Sequence, residues 1–162
     1  MKRKKEKEIE NRDIEFLEGE FINVKQSTVR SVEGGHVELQ QVGALSIDGE
    51  RIEVTQGASG ILKGNYINLN QSISLITAAD NVSVNYSLSP VTVSREQTSA
   101  NKSAVGIMAA REIKSENTSA FLVLSNKIEG NITTLLDWKS ALALGGVLGG
   151  IWGFFSLLAK RK

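Results

Sequence analysis

The first candidate for a general base or a metal ligand is His36, the single histidine of the chain. In the repeat described below, the positions equivalent to His36 hold Arg51, Tyr66 and Asn81. A position that accepts four such different side chains indicates a residue facing solvent, and there is no second histidine for a metal site. The absence of Cys removes disulfides, thiolate chemistry and cysteine-based zinc sites. We therefore expect no catalytic residue, no cofactor, no bound metal and no small-molecule substrate, and we predict that the protein is not an enzyme.

Four glutamines recur at intervals of fifteen residues and could hydrogen-bond to one another. They are Gln26, Gln41, Gln56 and Gln71. A side-chain amide both donates and accepts hydrogen bonds, so identical amides stacked at a regular spacing satisfy each other. We predict that these side chains form a structural ladder, in preference to a binding site.

The elements that would stack these glutamines come from a fifteen-residue repeat over residues 22–96. Its rows are INVKQSTVRSVEGGH, VELQQVGALSIDGER, IEVTQGASGILKGNY, INLNQSISLITAADN and VSVNYSLSPVTVSRE. Apolar residues at the first and third positions, with polar neighbours, are typical of a short strand with one buried face. Small residues fill the thirteenth position, where they suit a tight corner or the close approach of another backbone. A second, less regular apolar patch precedes them, as in Leu45 and Ile47 or Leu75 and Ile76.

The repeat continues to roughly Leu136 after a slip of about one residue near 96–98. A helix is excluded, because Val, Ile, Thr, Ser, Asn and Gly are poor helix formers and fifteen residues do not fit whole helical turns. One row buries too few aliphatic side chains to offset the entropy of ordering it, so it is stable only when stacked on its neighbours. We therefore predict an all-β fold, a single-stranded β-solenoid with rungs of about fifteen residues. About seven rungs, each about 4.8 Å apart, would form a rod of roughly 35 Å.

The C-terminal segment Ala141 to Ala159, ALALGGVLGGIWGFFSLLA, carries no charge. As a helix it would span about 28 Å, close to the roughly 30 Å hydrocarbon core, so we predict one C-terminal transmembrane helix. Trp138, Lys139 and Lys160 suit the two membrane interfaces. Glycines spaced for close contact with another helix are Gly145, Gly146, Gly149, Gly150 and Gly153. The alternative is a buried helix that caps the open end of the solenoid.

The sequence divides into a charged N-terminal tail and cap (1–21), a solenoid (22–137) and a membrane anchor with a basic tail (138–162). With 19 Lys plus Arg against 18 Asp plus Glu, the net charge of +1 gives no reason to expect nucleic acid as a partner. No apolar segment follows the basic residues 2–5, so we predict no secretory signal and a solenoid on the cytoplasmic side of a membrane. The terminal cations would then lie on the far side, against the positive-inside tendency, which leaves the orientation open.

Residues 22–136 resemble the bactofilins in their aliphatic columns and small corner residues, and the charged, non-repetitive tail that precedes them fits the same family. The resemblance implies a polymer-forming cytoskeletal β-solenoid without a catalytic set, which stacks end to end into filaments at the membrane. Bactofilin rungs are usually longer than these, and a C-terminal hydrophobic tail is not their usual route to the membrane. A helix leaving the last rung would obstruct one end of the rod, so we predict a membrane-tethered solenoid scaffold, with filament formation as one possibility.

These observations together predict a non-enzymatic, membrane-anchored scaffold or cytoskeleton-like assembly protein that binds a protein partner or copies of itself. Two other functions fit the same sequence. One is an exported adhesive rod whose flat strand face holds polysaccharide. The other is an accessory subunit of a larger membrane complex.

Overall fold

The computed structural model describes residues 6–10 and 13–134, whose strands form one parallel β-sheet. Each strand in this part of the chain pairs with the next in chain order, so the backbone coils as a β-solenoid of about 7 turns. The strands are β1 Glu6–Glu10, β2 Asp13–Lys25, β3 Thr28–Gln40, β4 Gly43–Thr55, β5 Ala58–Asn70, β6 Ile73–Asn85, β7 Leu88–Asn101 and β8 Ala104–Thr134. The predicted all-β solenoid is confirmed.

Successive turns are in register at the predicted spacing of fifteen residues. Val37 pairs with Ile52, and Ile52 pairs with Ile67. Equivalent residues of successive turns therefore lie one above another. The burial of one face fixes this register, because a slip of one residue would turn every buried side chain outward. The coil also begins before the predicted boundary at residue 22: β1 and the first part of β2 lie in the segment assigned to a tail and cap, where Leu17 is buried in the core.

Each turn consists of straight segments separated by three corners, at which the pairing between neighbouring strands is interrupted. In β4 the paired segments are 43–44, 46–49 and 51–55. Two corners lie at Leu45 and Glu50, and the third lies at Gln56 and Gly57, between β4 and β5. Gln56 has a left-handed φ of 54°. The coil thus has three sides around one core.

Gly49 lies directly before one of these corners, and a neighbouring backbone approaches it closely. A Cβ atom added to Gly49 would lie 2.7 Å from the carbonyl oxygen of Gly34, and one added to Gly34 would lie 2.6 Å from that of Gly19. Neither Gly34 nor Gly49 has a left-handed backbone. Small size, and not conformational freedom, is therefore what this column requires.

β7 contains one additional residue. Ala79 pairs with Ser94, fifteen positions on, whereas Asn81 pairs with Gln97, sixteen positions on. The insertion therefore lies between Ser94 and Gln97, an interval that overlaps the slip predicted near 96–98. It falls at a corner, and the ladder between β7 and β8 is interrupted there from Val93 to Gln97.

The composition of the core changes along the rod. One apolar cluster extends from Leu17 to Val84, and a second contains Val105, Met108 and Ile113. Between them, inward-facing positions of β6 and β7 carry fully buried hydroxyls on Ser74, Thr77, Ser89 and Thr92. In the Thr77 column the earlier turns bury Val, Ile and Leu, whereas in the Ser74 column they bury Val29, Ala44 and Ser59.

Candidate functional site

The predicted glutamine column forms a continuous chain of side-chain hydrogen bonds. The amide of Gln26 donates to Oε1 of Gln41 at 3.1 Å, Gln41 donates to Gln56 at 3.4 Å, and Gln56 donates to Gln71 at 3.1 Å. Each inner amide both donates and accepts, as stacked identical amides do. The four side chains are exposed, and their contacts with one another are those of a structural ladder.

These glutamines also occupy a backbone conformation that their residue type does not predict. Their φ values lie between 47° and 55°, in the left-handed region. This region costs a residue with a Cβ roughly 1–2 kcal/mol and normally favours Gly or Asn. The amide ladder offsets part of that cost, which gives a physical reason for Gln at a corner where glycine would be less strained.

The same corner continues in later turns with different residues. Tyr86, Lys102 and Asn117 share the left-handed conformation of the glutamines. Lys102 Nζ lies 5.4 Å from the centre of the Tyr86 ring and donates to its hydroxyl at 3.4 Å. Cation–π and hydrogen-bond contact thus replaces the amide ladder at this point.

A column of buried serines follows the corner and satisfies the backbone there. Ser87 Oγ accepts from the amide nitrogen of Ser72 at 3.0 Å, and Ser103 Oγ accepts from that of Ser87 at 3.2 Å. Each hydroxyl also donates to a carbonyl oxygen two residues earlier, as Ser87 does to Asn85 at 2.7 Å. Buried backbone donors require a partner where strand pairing stops, and the hydroxyls provide it.

His36 lies beside Phe21 and Glu38. Its ring is half-exposed, lies 6.0 Å from the ring of Phe21 and contacts Glu38 Oε1 at 2.9 Å. Over the described residues, no group of three His, Cys, Asp or Glu side chains is placed to hold a metal ion. The His36–Glu38 pair is a partly exposed contact.

The buried hydroxyls of β6 and β7 form a hydrogen-bonded cluster. Thr77 Oγ1 donates to Ser74 Oγ at 3.0 Å, Thr92 Oγ1 donates to Ser89 Oγ at 2.9 Å, and Thr77 and Ser89 are 3.4 Å apart. Sequence reasoning missed this cluster because it assigned burial to the apolar residues of the same strands. The signal was present as Ser and Thr three residues apart in two successive rows.

The large aliphatic residues beside these hydroxyls face outward instead. We name the outward-facing side chains of 73–78, 88–93, 104–109 and 119–124 the apolar ridge. Its most exposed large members are Ile73, Leu75, Leu88, Val93, Phe121 and Leu124. Contiguous exposed apolar surface is a common feature of interaction sites.

A shallow groove of about 310 Å³ lies on another side of the coil. Its rim includes Arg51, Tyr66, Asn68, Asn81 and Gln97, and the Tyr66 ring is largely exposed. Amide and guanidinium groups beside an aromatic ring are able to hydrogen-bond and stack on a polar ligand.

The membrane-related predictions fall on residues outside the described part of the chain. These are Trp138, Lys139, Lys160, Gly145, Gly146, Gly149, Gly150 and Gly153. Among residues 6–10 and 13–134, no helix is long and apolar enough to cross a membrane.

No protein-family model matches the chain, and neither a curated protein nor a solved structure matches it.

Proposed function

We propose that the protein is a non-enzymatic scaffold, a β-solenoid rod tethered to a membrane by residues 141–159 with the solenoid on the cytoplasmic side. The observation that carries this proposal is the position of the uncharged segment. It begins seven residues after Thr134, the last residue of β8. Seven residues reach at most about 25 Å, so the anchor would hold the rod close to the bilayer.

The outward side chains support a scaffold in preference to an enzyme. Many of them contact the equivalent side chain of the next turn, as in the glutamine ladder and the ion pairs of Asp48 with Lys63 and Asp80 with Arg95. Such contacts stabilise the stack of turns. They leave side chains in repeated rows that a protein partner could recognise.

Discrete rods are favoured over bactofilin-like filaments by the two ends of the coil. The edge strand β1 reads EKEIE, and charge on an edge strand opposes the addition of another strand. At the other end the chain continues into the proposed anchor. End-to-end stacking would therefore meet charge at one end and the anchor at the other.

The anchoring is tested by floating the full chain with phosphatidylcholine vesicles on a density gradient. We expect the wild-type chain to float and to resist extraction by high salt and alkaline buffer. Leu148→Arg places a charge in the middle of the segment at a cost of about 2.5–3.5 kcal/mol, so it should reduce the floating fraction, whereas Leu148→Ala should not. Extraction of the wild-type chain by salt alone would contradict the proposal.

Orientation and assembly require separate measurements. In sealed inside-out bacterial vesicles, the solenoid should be digested by added protease. Negative-stain images of the full chain in detergent should contain rods of one length. Protection of the solenoid in those vesicles contradicts the cytoplasmic orientation, and filaments contradict the discrete rod.

A polysaccharide-binding rod is the second candidate, because the groove beside Tyr66 offers an aromatic ring, amides and a guanidinium group. If it binds glycan, Tyr66→Ala should weaken retention on an immobilised polysaccharide array. Tyr86→Ala, which removes an exposed ring elsewhere on the rod, should not. Equal retention of both variants would exclude this groove as the site.

A further inference from the structure

We propose that the apolar ridge of β6, β7 and β8 lies in the interfacial layer of a lipid bilayer, so that the rod contacts the membrane along its C-terminal turns. This inference rests on the proposed membrane anchoring and goes beyond it. The anchor would fix only one point, whereas the ridge would fix the face and the tilt of the rod.

The first support is an inversion of the usual in–out pattern. In β3, Val29 and Val32 face the core and Arg30 and Glu33 face solvent. In β6 the equivalent inward positions hold Ser74 and Thr77, while Ile73, Leu75 and Ile76 face outward. A segment with hydroxyls inside and aliphatic side chains outside matches an environment more apolar than water.

The second support is the gradient of charge along the rod. At the ridge columns, the N-terminal turns carry Asp13, Glu15, Glu18, Arg30 and Glu33, and the middle turns carry Asp48 and Lys63. From β6 onward the outward positions of the ridge carry no charge, and Ser119 is their one hydroxyl-bearing residue. Exposed Leu45 and Ile61 extend the same columns into the middle turns, beside Asp48 and Lys63, so it is the charge-free part of this apolar surface that is confined to the turns nearest the predicted anchor.

The third support is shape, which favours lipid over a second copy of the chain. Leu75 and Ile76 are consecutive yet 57% and 43% exposed, whereas a straight strand would turn one of them inward. The coil bends outward between them, so the ridge is convex, and two convex surfaces make little contact. Four turns of about 4.8 Å by six residues of about 3.3 Å give roughly 400 Å². A stable protein dimer needs about 800 Å² on each partner.

The fourth support is the route of the chain. By the fifteen-residue spacing, Thr134 follows Ser119, at the first column of the ridge. Residues 135–140 then lead to the uncharged segment at 141–159. The anchor would therefore leave the rod beside the ridge and hold the ridge against the bilayer surface, where apolar side chains are buried at the headgroup boundary.

Single-cysteine labelling tests the inference on the full chain, which has no natural Cys to interfere. An environment-sensitive fluorophore is attached at Leu75→Cys or Ile107→Cys on the ridge, and at Ser83→Cys or Lys114→Cys on another side of the same strands. The proteins are reconstituted in phosphatidylcholine vesicles. Quenching is measured with a nitroxide-labelled lipid and with aqueous iodide, and circular dichroism checks each variant for the β-solenoid.

We expect nitroxide lipid to quench the ridge labels several-fold more strongly than the labels at Ser83 and Lys114, with the reverse order for iodide. Equal iodide quenching at all four sites overturns the inference. Ridge labels that neither quencher reaches also overturn the inference. If the labels quench one another and unlabelled protein relieves that self-quenching, the ridge contacts a second copy. If there is no self-quenching, another part of the chain covers the ridge.

Flotation of the same samples separates this inference from the proposed function. If the chain floats but iodide quenches its ridge labels, the anchor is retained and only the ridge contact is contradicted. A chain that does not float contradicts both.

Discussion

Gln41 and Gln56 stand one above the other at the same left-handed corner, with φ values of 55° and 54° and a hydrogen bond of 3.4 Å from one amide to the other. The unfavourable backbone and the favourable side-chain contact occur in the same residues. Substitution at this corner therefore separates the cost of the left-handed backbone from the gain of the amide hydrogen bonds. Gly and Ala both remove the amide, but only Gly also removes the backbone strain.

We predict that Gln56→Ala is less stable than Gln56→Gly by about 1 kcal/mol, because only glycine adopts positive φ without steric cost. Both variants lose the hydrogen bonds to Gln41 and Gln71, so that loss cancels in the comparison. The free energy of unfolding is measured in urea. An alanine variant as stable as the glycine variant would show that the corner is not strained.

We predict that the buried hydroxyl cluster is coupled. Thr92→Val alone removes the donor to Ser89 Oγ and should destabilise the fold by about 1–2 kcal/mol. Adding Ser89→Ala should recover part of that loss, because replacing both polar partners with apolar groups avoids an unsatisfied buried atom. A double-mutant cycle on unfolding free energies measures the coupling. Additive effects of the two substitutions would contradict it.

The period of the repeat was sufficient to predict the coil. Ile52 over Ile67 and the Gln26 to Gln71 ladder both depend only on the fifteen-residue spacing, and the structure has both. The left-handed corner was not predictable from residue type, because Gln is not a residue that favours positive φ. The one sequence signal of an unusual backbone conformation was the recurrence of Gln between two strand patterns in each row.

The direction of the side chains in β6 and β7 was the other unpredicted feature. Leu75 and Ile76 are consecutive, and Ser74 and Thr77 are three residues apart, so a straight strand would place the members of each pair on opposite faces. Hydrophobicity alone would place the aliphatic side chains inside. The register with the earlier turns instead places Ser74 and Thr77 inside, since Ser74 stacks on Ser59 and Thr77 stacks on Leu62. Stacking with neighbours overrides the local preference.

We predict that Gly49→Ala destabilises the protein while Gly43→Ala, in the same strand, does not. A Cβ at Gly49 would lie 2.7 Å from the Gly34 carbonyl oxygen, whereas the nearest atom to a Cβ at Gly43 is a methyl carbon of Thr28 at 4.0 Å. Overpacking at Gly49 should cost about 1–3 kcal/mol, and Gly43→Ala should be neutral or slightly stabilising. Thermal unfolding of the two variants checks the order. Equal melting temperatures would mean that the turns separate at Gly49 without cost.

The last turn carries an exposed charge cluster whose pH dependence is predictable in sign. Hydrogen bonding to Glu129 and then Glu112 raises the pKa of Lys127, and hydrogen bonding to Lys127 lowers the pKa of Glu129. The contribution of Glu129 is present above the usual carboxyl pKa and is lost as pH falls through its lowered pKa. The contribution of Lys127 is present below its usual 10.5 and is lost as pH rises through its raised pKa.

We expect Lys127→Met to return the pKa of Glu129 towards its usual value, measured by NMR titration of the Glu129 carboxyl carbon. Lys114→Met is the matched control, because Lys114 is the weakest contributor to the lowered pKa of Glu129 and should move it less. Both shifts should shrink in high salt, since these charges are exposed and screened. An unchanged Glu129 pKa in Lys127→Met would show that the two side chains do not pair in solution, and the last turn would then be held by its backbone ladder and by contacts such as Ser115 Oγ with the Asn131 carbonyl.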